Sequence, residues 1–309
     1  MTRTLIIGAG ATGGALGARL ISAGQDVTFL VRERRAAQLA ADGLRFRAPD
    51  VNVVHTARTV TSLDDTDPFD LVIVAVKAPA LEAIIPKLAP AIRPETRIVP
   101  LLNGMAHIEL LERAFSGQVL GGIVKIVATL EEDATVVQMT PLCNLIVGGL
   151  HGEAVAEEIR RTLDVDGIAL DIVDDVASRL WEKWAFIAAA GVIACLFRGT
   201  IGDILAAGGE AQILQAIMEC EQIAEAAGHP VSVAGHAQSL GLLTEPGSAF
   251  TSSLYRDLQH GEPVEAEHII GDLATRAAAL QVPAPLLDAA LLQLRTHHQA
   301  LISATGAAS

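Results

Sequence analysis

The opening of the chain constrains its fold more than any other stretch. Leu5-Ile6-Ile7 runs into Gly8-Ala9-Gly10-Ala11-Thr12-Gly13-Gly14, a helical stretch follows, and Val27-Thr28-Phe29-Leu30-Val31-Arg32 comes next. An apolar strand, a G-x-G-x-x-G turn, an amphipathic helix and a second apolar strand, in that order, make a dinucleotide-binding βαβ unit. Gly8 permits the tight turn, Gly10 lets the backbone approach a pyrophosphate, and Gly13 lets the helix pack close to the strand. Ala11 and Thr12 open the helix, whose unpaired N–H groups and positive dipole end face the anion. Glycine-rich turns also arise for purely conformational reasons, but here the full strand–turn–helix–strand context favours a cofactor.

A length of 309 residues suggests two domains, and 51% hydrophobic against 19% charged residues supports a sizeable core and argues against disorder. The net charge of −14 disfavours nucleic acid as a partner, so any anion site must be built from locally placed cations and backbone donors. Cys143, Cys195 and Cys220 are far apart with no C-x-x-C and read as free core thiols in a reducing compartment. No metal site is expected: the adjacent His297 and His298 point in different directions on a helix and read as surface residues. The Leu5–Ile7 run is too short for a cleavable signal. The uncharged run Trp184–Phe197 falls short of the roughly 20 residues that span a bilayer, so it reads as a buried core helix. A soluble, cytoplasmic protein with no membrane partner is expected.

Along the chain, a helix is predicted over Glu33–Ala41 and a strand pair over Leu44–Arg47 and Val51–Thr56. The continuous apolar run Leu71–Val76 suits a strand buried on both faces of a parallel sheet. A helix around Leu81–Leu88 and a strand over Arg97–Leu102 follow. Further strands are predicted at Val119–Thr129, Thr135–Met139, Asn144–Val147 and Ala169–Val173, with a helix at Glu153–Leu163. Beyond Asp175, alanine- and leucine-rich helical segments take over, broken at Gly199-Thr200, Gly208-Gly209, Gly228-His229-Pro230, Glu245-Pro246-Gly247 and Pro283-Ala284-Pro285. The fold class is therefore α/β: a Rossmann-type dinucleotide-binding domain over residues 1–174, then an all-α domain over residues 175–309 for substrate binding and dimerisation. A helical second domain of this kind can pair into a homodimer, though no motif fixes one. The small, polar tail from Ser303 to Ser309 is expected to fray.

NAD-selective versions of this fold place an acidic residue near the end of the second strand to bind the ribose 2′-OH. Here Arg32 stands there, followed by Glu33-Arg34-Arg35, and a guanidinium fork suits a 2′-phosphate. NADP (NADPH) is the cofactor this favours, against the reading of Arg32 as an ordinary solvated helix start. Two polar residues stand at the carboxyl ends of neighbouring strands, where ligands of open α/β sheets bind: Lys77, after Val72–Val76, and Asn103, before Gly104-Met105. A solvated lysine and an Asn-Gly turn are the bland readings of the two. In Leu180-Trp181-Glu182-Lys183-Trp184-Ala185-Phe186-Ile187, Lys183 lies in an apolar helical stretch, where burial disfavours the ammonium and suits proton transfer. A lysine snorkelling from an amphipathic helix competes with that reading. Ser252-Ser253 and the carboxylate pair of Glu265 and Glu267 add polar groups, and the glutamates also suit a plain charged helix start.

Taken together, these pieces resemble the ketopantoate reductase (2-dehydropantoate 2-reductase) family, in the same order over essentially the whole chain. The resemblance rests on Gly8-x-Gly10-x-x-Gly13, Arg32, Val76-Lys77-Ala78, Asn103-Gly104-Met105, Leu180-Trp181-Glu182-Lys183, Ser252-Ser253, Glu265 ahead of Ile269-x-Gly271, and Val282-Pro283-Ala284-Pro285. It implies that Lys183 is the catalytic lysine, general acid in reduction and base in the reverse, and that Glu265 holds the lysine or the substrate oxygens. It further implies that Ser253 binds the substrate's polar end, that Asn103 sits beside nicotinamide and substrate, and that Lys77 lies near the cofactor ribose. The implied reaction is NADPH-dependent reduction of the small 2-oxo acid 2-dehydropantoate to pantoate, on the route to pantothenate. Where many members carry two asparagines four and eight residues after that lysine, this chain has Ile187 and Gly191. An apolar pocket discriminates hydroxyl-bearing substrates poorly. A related 2-hydroxyacid dehydrogenase acting on another branched or aromatic acid is therefore the first alternative. An NADP-binding sensor without turnover is the second, and Lys183 and Glu265 argue against it.

Overall fold

The computed structural model describes residues 1–261 and 264–306 and divides the chain into two units. The first comprises Met1–Leu102 with His107–Val176; the second comprises Asn103–Ala106 with the chain from Ala177 onward. The short Asn103 turn thus belongs with the helical unit, although it directly follows a strand of the first.

The first unit is built on strands β1 (Arg3–Ile7), β2 (Asp26–Leu30), β5 (Arg58–Val60), β6 (Leu71–Val74) and β7 (Arg97–Pro100). They pair in parallel in the order β5-β2-β1-β6-β7. Strand order reverses at β1, so the turn after β1 and the loop after β6 flank the topological switch point where ligands of such sheets bind. The central strands are buried on both faces, which is why Leu5-Ile6-Ile7 and Leu71–Val74 read as unbroken apolar runs. Helices α1 (Ala11–Ser22), α2 (Glu33–Asp42), α3 (Ala78–Leu88), α4 (Ala106–Ala114) and α5 (Glu157–Leu163) accompany the sheet. A second sheet has the order β10-β9-β3-β4, with β8 beside β9; these are β3 (Leu44–Ala48), β4 (Val51–His55), β8 (Leu120–Leu130), β9 (Val136–Gly149) and β10 (Ala169–Ile172).

Three local features differ from expectation. The strand β5 and the helix α4 lie in stretches for which no element was predicted. The two strands predicted at Thr135–Met139 and Asn144–Val147 form one long strand, β9. In the β8–β9 ladder, Ile126 pairs with Cys143 and Ala128 with Gln138, so Met139-Thr140-Pro141-Leu142 bulge out opposite Val127. Proline, which cannot donate to a ladder, is tolerated in such a bulge. The Gln138 side-chain amide donates to the Thr140 carbonyl (2.7 Å) and steadies the bulge.

The second unit is all helical among the described residues: α6 (Val176–Phe197), α7 (Ile201–Ala206), α8 (Glu210–Ala226), α9 (Val233–Leu243), α10 (Ser253–His260), a π-helical turn over Glu267–Gly271, α11 (Asp272–Leu280) and α12 (Pro285–Gly306). Breaks fall at the five glycine- and proline-rich points. Helix α6 runs 22 residues, longer than its uncharged stretch, and by length and hydropathy it could cross a membrane; most of its apolar window is instead buried in this unit's core. Helix α12 continues through Gly306, so the first part of the tail expected to fray is helical, and residues 307–309 lie outside the described residues. All three cysteines are buried and free.

Candidate active site

The glycine turn is built as its spacing requires. Gly8 has φ +97°, a left-handed conformation, and a Cβ there would press on the Ala75 carbonyl oxygen at 2.9 Å. Gly13 meets the turn itself: a Cβ would run into the Gly8 carbonyl, so only glycine lets α1 approach β1 this closely. A Cβ on Gly10, by contrast, would find nothing within 4 Å. Gly10 is the N-cap of α1 and offers no side-chain cap, which leaves the N–H groups of Ala11 and Thr12 as the first unspent donors of the helix. The open face at Gly10 and these donors fit a pyrophosphate. Gly8 N–H donates to the Leu30 carbonyl (3.0 Å) and Ala75 N–H to the Ile7 carbonyl (3.0 Å), so the turn is pinned to the ends of both neighbouring strands.

Around the turn, Arg32 is the exposed N-cap of α2 and Lys77 the exposed N-cap of α3. Arg35, three residues beyond Arg32, does something the sequence did not announce. Its Nε donates to the Ala9 carbonyl inside the glycine turn (3.1 Å), and its Nη1 donates to Gln38 Oε1 (2.6 Å) and the Ala134 carbonyl (3.3 Å). Burial lowers the pKa of this guanidinium. Arg35 therefore braces the turn against α2 and the β8–β9 hairpin. The only signal for it was its place on the inward side of an otherwise polar helix.

In the helical unit, Lys183 is half-buried on α6 between the buried Glu182-flanking Trp181 and Trp184. The Trp184 indole Nε1–H donates to the Ile269 carbonyl (2.9 Å), in the π-helical turn that follows Glu265. Glu265 is half-buried, and its carbonyl accepts from Ile269 N–H (3.2 Å). π-Helical turns are rare and frequent at functional sites. Asn103 is half-buried in the turn whose next residue, Gly104, has φ +82°; a Cβ on Gly104 would lie 2.5 Å from the His268 carbonyl and 3.9 Å from Trp184 Nε1. The segments carrying Asn103, Lys183 and Glu265 thus meet around one indole nitrogen.

The remaining candidates are placed less uniformly. Ser253 is exposed at the first turn of α10, whereas Ser252 is buried as its N-cap, accepting from Tyr255 N–H (3.0 Å). Glu267 makes a two-pronged bond with Arg295 (2.7 and 2.7 Å), and that guanidinium holds its carboxyl below the usual range. His298 is exposed, but His297 is half-buried rather than a surface residue, and no group of metal-ligating side chains occurs among the described residues. Ile187 is half-buried, and at Gly191 the space a side chain would take is filled by Leu254, whose Cδ1 would lie 2.7 Å from an added Cβ.

The pattern of the family described as ketopantoate reductase PanE/ApbA matches residues 4–150, and that of its C-terminal domain matches residues 175–298. An uncharacterized oxidoreductase, YkpB, of Bacillus subtilis is 33% identical over 298 residues, covering 95% of this chain and 98% of that protein. The 2-dehydropantoate 2-reductase of Mesorhizobium japonicum is 25% identical, covering 94% and 96%. A solved PanE/ApbA family ketopantoate reductase from Ralstonia eutropha superposes with a TM-score of 0.87 at 20% identity, covering 96% of this chain and 98% of that one. Glycine turn, helical second unit and matched length agree, and the chain belongs to the ketopantoate reductase family, oxidoreductases acting on a CH–OH group.

Proposed function

We propose that the protein reduces a 2-oxo acid to the 2-hydroxy acid with NADPH, and that 2-dehydropantoate, giving pantoate for pantothenate synthesis in the cytoplasm, is its substrate. The observation that supports this most is the meeting of the Asn103, Lys183 and Glu265 segments in the helical unit, since a lysine with polar neighbours at the end of an apolar stretch of helix is what carbonyl reduction needs. The bound nicotinamide supplies the hydride. Lys183 polarises the substrate carbonyl and gives a proton to the oxygen that reduction leaves as an alkoxide; in the reverse direction it takes that proton back. Glu265 accepts a hydrogen bond from the lysine or the substrate hydroxyl, Asn103 orients the carbonyl, and Ser253 receives the substrate's polar end. Gly8, Gly10, Ala11, Thr12 and Gly13 hold the pyrophosphate, Arg32 pairs with the 2′-phosphate, and Lys77 reaches the ribose.

One observation favours a second reading within the same chemistry. Leu254 fills the space beside Gly191, and Ile187 stands one turn earlier, so this wall of the helical unit is apolar. A 2-oxo acid with a branched or aromatic side chain suits such a wall better than a hydroxyl-bearing one. Following NADPH oxidation across 2-dehydropantoate and a series of branched and aromatic 2-oxo acids separates the two. The highest kcat/KM on 2-dehydropantoate supports the first reading and on an apolar acid the second. NADPH binding with no turnover on any of them overturns both in favour of a sensor.

A further inference from the structure

We infer that Trp184 is a positioning residue for the reaction, setting through its indole N–H the register between the lysine helix and the glutamate segment; this rests on the roles proposed above for Lys183, Glu265 and Asn103. Trp184 follows Lys183 directly on α6, and its Nε1–H donates to the Ile269 carbonyl at 2.9 Å. Ile269 lies inside the π-helical turn Glu267–Gly271, and its own N–H returns to the Glu265 carbonyl at 3.2 Å. One hydrogen bond therefore joins the helix carrying the lysine to the turn that follows the glutamate.

The bond is buried and directional. Trp184 is 1% exposed, so an unpaired indole N–H or Ile269 carbonyl would be left without water. Arg276 lies over both the Trp184 ring (5.4 Å) and the Trp181 ring (5.5 Å) and is itself fixed by Asp272 at 3.1 Å. Near the indole nitrogen stands Gly104, whose missing side chain leaves room for the His268 carbonyl, 2.5 Å from where a Cβ would be. Rotation of α6 or slippage of the widened turn would move Lys183, Glu265 and the Asn103 turn relative to one another. Displacements on the order of 1 Å can cost about 10²-fold in rate without touching the chemistry.

Steady-state kinetics on four variants test this. Trp184→Phe keeps an aromatic ring and removes the donor; kcat should fall about 10-fold or more, with KM for NADPH within about twofold of wild type and the thermal midpoint lowered by a few degrees as the Ile269 carbonyl loses its partner. Trp181→Phe alters the neighbouring ring, 4.9 Å away, and should leave kcat within about twofold. Gly104→Ala presses on the His268 carbonyl beside the indole nitrogen and should reproduce the kcat loss; it decides the matter if Trp184→Phe does not accumulate as folded protein. Unchanged kcat in Trp184→Phe, or an equal loss in Trp181→Phe, overturns the positioning role while leaving the proposed function standing. Unchanged kcat in Lys183→Ala overturns the function and the positioning role together.

Discussion

The roles proposed for Lys183 and Arg32 should be read by different kinetic constants. If Lys183 is the proposed proton donor, Lys183→Ala should lower kcat by about 10²-fold or more while NADPH affinity is largely kept. If Arg32 pairs with the 2′-phosphate as proposed, Arg32→Ala should raise KM for NADPH about tenfold while KM for NADH hardly moves. Stopped-flow turnover and cofactor titrations check the two. At this scale the sequence was most legible where geometry leaves one choice of residue. Gly8 and Gly13 could be marked in advance as glycine positions because a positive φ and a close packing each admit only glycine. Arg35 and Trp184 were not foreseen, because each acts through a backbone carbonyl, Ala9 and Ile269, and every residue has one.

Among the elements, those with strong periodicity or continuous burial were readable, and those defined by their partners were not. Strand β5 is three residues, Arg58-Thr59-Val60, and exists because it completes the edge beside β2. Helix α4 follows Gly104-Met105 rather than a capping side chain, so the Asn-Gly turn hid its start. The π-helical turn leaves no trace in the 3.6-residue period. The segment Val282-Pro283-Ala284-Pro285 shows the same dependence on a partner. It introduces α12, and the cap for that helix comes from elsewhere: Glu219, 1% exposed on α8, accepts from Leu286 N–H (3.0 Å) and Leu287 N–H (3.1 Å) as well as from Gln215 (3.0 Å). A carboxylate at a helix N-terminus satisfies its unspent donors and its dipole. Glu219→Ala would strand two N–H groups in the core and should destabilise the protein by about 2–3 kcal/mol, seen as a lower urea midpoint with an unchanged slope.

For the whole molecule, ionisation sets a window of maximal stability. Arg160 and then Arg161 draw the Glu157 carboxyl down to about 2, the Arg19 guanidinium lowers Asp50, and Arg295 lowers Glu267. Each folded carboxyl ionises below its unfolded counterpart, so its contribution is present above the ordinary carboxylate range and is lost as pH falls through the lowered values. On the alkaline side burial pushes the Cys195 thiol up to about 12, and burial likewise raises Cys220, from an ordinary value of 9.0. The folded state keeps protons that the unfolded chain gives up, so this contribution is present below 9.0 and is lost as pH climbs toward about 12. Urea midpoints should be nearly flat from about pH 5 to 8 and fall on both sides. A midpoint still rising between pH 9 and 11 would contradict the thiol assignment.

Gly191 and Leu254 occupy one space between them, so neither position can change its side-chain volume independently of the other. An asparagine at position 191 alone would collide with Leu254, while trimming Leu254 alone would open a void beside a bare backbone. Each single step is costly and the pair is compensating. Gly191→Asn should be strongly destabilised, and Gly191→Asn with Leu254→Ala should recover most of the loss, a non-additivity that a double-mutant cycle measures. An asparagine at 191 is therefore reached from this pair of residues only through a costly single step.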